Sequence, residues 1–167
     1  MPFYLDETDV VPEVADFKSV LIVPCRFCPA ASLAVRNNEP YIDFPRRGLE
    51  TAPYERLIKK VKRSIENRGV KVSVFKSKLL HQFVLCMWTS KRRKKLMELA
   101  KEYDALVVMG CEGAVQTVRE AVKSTTCQVI PGMKNEGLMS IRPRLSFPCT
   151  ISLELESVSP ILLEQPS

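Results

Sequence analysis

The sequence holds a single histidine, His81, for which no carboxylate partner is identifiable. No general acid–base pair is therefore visible, and His81 is read as structural or merely exposed. Long apolar runs are missing too: none approaches the roughly 18 residues a membrane span requires. The opening stretch MPFYLDETDVVPEVAD is acidic and broken by proline, unlike a signal or transit peptide. A cytoplasmic protein without a membrane span is expected. The full G-x-G-x-x-G pattern is absent, which discounts a dinucleotide. No RNP or zinc-finger signature is present either, so nucleic acid is not the expected partner.

What the chain does contain is sulfur. Six cysteines occur in 167 residues, 46% of them apolar, a length and composition that suit one domain with one core. Without an export signal, the cysteines read as thiols, redox pairs or metal ligands rather than a disulfide framework. A net charge of +6 and a pI near 9.1 permit docking on an acidic partner.

Hydrophobic patterning predicts a Rossmann-like three-layer α/β fold, with a mainly parallel sheet and a C-terminal antiparallel extension. The parts are an arm over 1–18, a core over 19–130, an extension over 131–156 and a tail over 157–167. Val20-Leu21-Ile22-Val23, ended by Pro24, reads as a strand covered on both faces, followed by small residues that can open a helix. Residues 37–53 form a proline-laced excursion in which Arg46 and Arg47 could face an anion or a carboxylate. Leu57, Ile58, Val61 and Ile65 make one helical stripe, with Thr51 as candidate cap, and Val70–Phe75 alternates as a strand. Between Lys76 and Thr89, periodicity does not separate helix from strand. Leu96, Leu99, Ala100 and Tyr103 mark the next helix, which opens on the cations Lys91 to Lys95, read as a solvated or protein-docking face. Asp104–Met109 is a strand closed by Gly110-Cys111-Glu112-Gly113, after which Ala114, Val115, Val118 and Val122 line a helix. Cys127–Ile130 is a further strand, and Leu138–Leu145 and Cys149–Glu156 read as two extended segments joined by 146–148.

Topology gathers the thiols. Ligands collect outside the carboxyl ends of strands in open α/β sheets, so Cys25, Cys28 and Cys111 are expected on one rim, with Cys86 beside them in the loop after the second strand. Four thiolates held by backbone turns are what an iron–sulfur cluster or a structural zinc requires. Zinc suits paired C-x-x-C motifs, and here only one pair exists. A cluster is therefore expected, four-iron in preference to two-iron, with zinc as the alternative. Cys127, placed at the opposite edge of the sheet, is the least suited ligand, and Cys149 can go either way.

The order strand, C-x-x-C, helix, strand, cysteine, helix, strand ending Gly110-Cys111, helix resembles the iron–sulfur delta subunit of the hydrogenases that feed heterodisulfide reductase in methanogenic archaea. The resemblance spans about 20–122 and lies in Cys25, Cys28, Cys86 and Gly110-Cys111. It implies a cytoplasmic cluster protein of an anaerobe, working as a non-catalytic accessory inside a larger assembly of the hydrogenase/heterodisulfide reductase or methyltransferase type. No further cysteine follows Cys111 in its turn, and a proline-rich insertion follows the first motif. Those departures leave room for a redox or oxygen sensor. Cys25-Arg26-Phe27-Cys28-Pro29 also resembles the motif of glutaredoxin-like proteins, which implies a thiol–disulfide oxidoreductase with Cys25 as nucleophile and Cys28 resolving. A zinc-stabilised interaction module is the remaining alternative.

Overall fold

A computed structural model describes residues 2–76 and 84–161. The expectation about His81 lies outside the described residues. The strands are β1 (Phe3–Glu7), β2 (Ser19–Pro24), β3 (Ile42–Asp43), β4 (Lys71–Val74), β5 (Ala105–Met109), β6 (Gln128–Pro131), β7 (Met133–Ser146) and β8 (Thr150–Ser159). The helices are α1 (Val11–Val14), α2 (Cys28–Asn37), α3 (Phe44–Arg47), α4 (Ala52–Glu66), α5 (Ser90–Ala100) and α6 (Glu112–Val122), and a single 3₁₀ turn covers Leu85–Met87.

Four strands form a parallel sheet in the order β4-β2-β5-β6. Every residue of β5 is fully buried, as the unbroken run Ala-Leu-Val-Val-Met requires of a strand with both faces covered. In chain order these strands stand second, first, third, fourth, so the direction of winding reverses between β2 and β5. That reversal opens a crevice at their carboxyl ends. At the opposite end, Asp104 Oδ2 accepts the backbone N–H groups of Lys18 and Ser19, both at 2.9 Å, and ties the starts of β2 and β5 together.

The antiparallel part is larger than the sequence suggests. It is a second four-stranded sheet, order β1-β7-β8-β3, rather than a C-terminal appendage to a mainly parallel one. Two of its strands come from segments read as irregular. Phe3–Glu7 pairs with β7, Leu5 and Val14 are wholly buried, and so this stretch is not a surface arm. Five residues of alternation are too short to register as a period, and their partner lies some 130 positions downstream in the chain. The tail also begins later than expected, because Ser157, Val158 and Ser159 pair with Ser140, Met139 and Leu138. Ser32 of α2 fastens the two sheets: its Oγ accepts the Leu5 N–H at 2.9 Å and reaches the carbonyls of Cys28 and Phe3. α2 thus lies between β1 and α4, with its first residue, Cys28, at the seam.

Candidate functional site

The carboxyl ends of β2 and β5 pair Pro24 with Met109, and the Cys25 N–H continues the ladder by donating to the Met109 carbonyl at 3.0 Å. The same carbonyl accepts the Tyr54 hydroxyl at 2.7 Å, from a ring that is completely buried under α4. Cys25 and Cys111 are thereby held on adjacent turns. Gly110 between them permits the approach, since a Cβ there would stand 2.7 Å from Ala114 Cβ and 3.2 Å from Cys25 Cβ. No side chain fits without moving one of the two.

Cys28 opens α2 and stands close enough to Cys111 for each thiol to shift the other. Of the two, Cys111 is the more acidic. Cys111 occupies the N-cap position of α6, where its carbonyl accepts the Ala114 N–H at 2.9 Å; its thiol pKa falls below the ordinary value, chiefly through neighbouring Cys28 and then through the N–H groups at the helix start, despite burial. Cys28 keeps its proton: its pKa is raised, first by Cys111 beside it and then by burial. Cys25 is 2% exposed, and burial pushes its thiol up to about 11, with backbone N–H groups of Leu85 and Phe27 pulling the other way. Cys86 lies on the 3₁₀ turn whose Leu85 reaches Cys25, and it feels the charge of Cys111. Burial raises its pKa as well.

The structure therefore brings Cys25, Cys28 and Cys111 together and sets Cys86 beside them. It leaves Cys127 half-buried next to Asp104, near the amino ends of the strands, and Cys149 exposed beyond the tip of the β7–β8 hairpin. The glutaredoxin-like role for Cys25 is not matched. Cys25 precedes the helix instead of starting it, and its thiol is raised where a nucleophile needs it lowered.

Residues that the sequence did not assign to the site complete the surroundings. Tyr41, whose hydroxyl donates to the Arg26 carbonyl at 3.3 Å, stands close enough to Cys25 and Cys28 to feel their charges, and burial first of all pushes it up to about 12. Thr51 occupies the cap position of α4 but spends its hydroxyl on the Tyr41 carbonyl at 2.7 Å, holding that ring in place. Arg26 and Glu55, both mostly buried, pair at 2.9 Å across the outer side of the turn. Tyr54 alone had a legible signal, because it precedes Leu57 by three positions on the α4 stripe. Phe27, between the two motif cysteines, is 42% exposed.

Among the described residues, no three histidine, cysteine or carboxylate side chains are placed to hold one metal ion. No protein-family model, curated protein or solved structure matches the chain. The resemblance to the hydrogenase delta subunits accordingly rests on the residues themselves.

Proposed function

We propose that this chain is a cytoplasmic iron–sulfur redox accessory or redox/oxygen-sensing protein that docks on a larger enzyme complex of energy metabolism, with a Rossmann-like parallel sheet carrying Cys25, Cys28, Cys86 and Cys111 as cluster ligands. The observation that carries the reading is the meeting of the C-x-x-C turn with Cys111 at the β2–β5 crevice. The donor set is all sulfur, and the backbone N–H groups of Leu85 and Phe27 act on the Cys25 thiol, as cluster sulfurs require. When bound, the cluster would supply one-electron chemistry. The chain's own part would be to bind it through four thiolates, to raise its potential through N–H groups directed at the sulfurs, and to exclude water with Tyr41, Tyr54 and the Leu85 turn.

The test is anaerobic purification followed by iron and sulfide analysis and an absorption spectrum. About four irons per chain with a broad absorption in the blue is expected, lost in Cys25→Ser and Cys111→Ser but retained in Cys127→Ser. Colourless protein without sulfide under those conditions overturns the reading.

One observation favours a second reading, thiol–disulfide exchange. Cys28 and Cys111 stand against each other, with Cys111 the more acidic. Cys111 thiolate would attack a partner disulfide and expel one partner thiolate; Cys28, losing its proton, would then displace the second and leave a Cys28–Cys111 disulfide. A mixed disulfide at Cys111 trapped in Cys28→Ser would mark this route.

A further inference from the structure

Away from the thiols, the edge of the parallel sheet carries a feature that the cluster reading does not use. β4 is an outer strand: among the described residues it pairs only with β2. The N–H groups of Lys71 and Phe75 donate inward, to Lys18 and Ile22, at 3.0 and 2.8 Å. In a parallel ladder the alternate residues turn their main-chain groups the other way, so those of Val72 and Val74 face the open edge. Beside this edge a groove of about 390 Å³ runs between β4 and α5, with Val74, Phe75 and Leu99 on its floor and Lys76, Arg92 and Lys95 at its rim.

The rim is part of a larger concentration of charge. Five consecutive cations, Lys91 to Lys95, fill the first turns of α5, where the helix dipole opposes them. Among the described residues none of the five forms an ion pair with a carboxylate. Arg92 is held ready instead. Its guanidinium lies 4.5 Å from the Phe75 ring centre and 5.4 Å from that of Trp88, and one of its amino groups donates to the Lys76 carbonyl at 2.9 Å. Its Nε is buried, and no acceptor reaches it among the described residues. A cation fixed by aromatic rings and a backbone carbonyl has little side-chain entropy left to lose when an anionic group approaches the rim.

We propose that this edge is the docking site for an acidic, extended segment of a partner protein. The segment adds a strand to β4, seats an apolar side chain in the groove and sets its carboxylates against Lys76, Arg92, Lys95 and the other cations of α5. The inference deepens the docking half of the reading above and rests on it. Charge complementarity selects the acidic partner, the open ladder selects the extended form, and the apolar floor selects an anchor between the acids.

The probe is a fluorescein-labelled heptapeptide of alternating glutamate and leucine flanked by aspartates, titrated by anisotropy into the full chain at low and physiological salt. Saturable binding is expected, with amide shifts in ¹⁵N spectra confined to Ser73–Lys76 and the α5 residues. Lys91→Glu with Lys95→Glu should weaken it about tenfold or more, whereas Lys59→Glu with Lys62→Glu on α4, the same change of net charge, should leave it within about twofold. Serine in place of the leucines should also weaken binding. No binding by either readout, equal losses in both charge variants, or tighter binding of a single-stranded oligonucleotide at the same residues overturns the proposal. Iron content is read separately: a Cys111→Ser protein that loses iron yet binds the peptide separates failure of the cluster from failure of docking.

Discussion

Gly110 occupies the point where the turn after β2 and the turn after β5 meet. Gly110→Ala would force a Cβ to 2.7 Å from Ala114 Cβ and 3.2 Å from Cys25 Cβ. Overpacking of this kind costs about 1–3 kcal/mol, and urea unfolding should show it as a lowered midpoint with unchanged slope. Asp104 supplies the pH dependence at the other end of the sheet. The Ser19 and Lys18 N–H groups that it accepts hold its pKa below the ordinary aspartate value in the folded chain. Its contribution is therefore complete above that ordinary value and fades as the pH falls through the lower, folded one. Asp104→Asn should flatten the acid side of a stability-against-pH curve and leave its shape near neutrality unchanged.

At the scale of elements, β1 depends on one hydroxyl. Ser32→Ala removes the acceptor of the Leu5 N–H in a buried setting, and an unsatisfied buried donor costs about 1–3 kcal/mol. Hydrogen exchange should quicken first at Leu5 and its neighbours in β1, with β5 amides unaffected. The β7–β8 hairpin behaves in the opposite way. Its outer half is exposed, Phe147 at the tip is 98% exposed and Leu145 is 77% exposed, while Arg142 and Arg144 pair with Glu156 and Glu154 across the strands. Phe147→Ser should alter stability by no more than about 0.5 kcal/mol, since nothing packed is lost, and should shorten retention on a hydrophobic column.

For the whole molecule, the thiol rim and the antiparallel sheet are joined through α2, which presents Cys28 at one end and holds β1 by Ser32 in its middle. The parallel core was legible in outline: β2, β5 and the stripes of α4 and α6 stand where periodicity predicts, because both-face burial demands unbroken apolar runs and one-face burial demands a period of 3.6. Less was visible wherever a short segment depends on a distant partner. β1 and β3 have five and two residues, too few for a pattern, and acquire their strand character only by pairing with β7 and β8. Tyr41, in the proline-laced excursion, and Thr51, read from sequence only as a helix cap, are drawn to the site by the same folding.

The amino-acid order by itself determined which thiols could meet. Cys25, Cys28 and Cys111 follow apolar runs that must lie side by side in a parallel sheet, so their turns share one end of it. Tertiary structure decided how those thiols differ. Sulfur chemistry depends on burial and on the groups around each atom, and only the packed chain places Cys111 at the start of α6 against Cys28, while it buries Cys25 almost completely. The same division applies to the antiparallel sheet: alternation marked the β7–β8 hairpin, but long-range pairing recruited β1 and β3, because edge hydrogen bonds are satisfied by whichever strand the folded chain brings within reach.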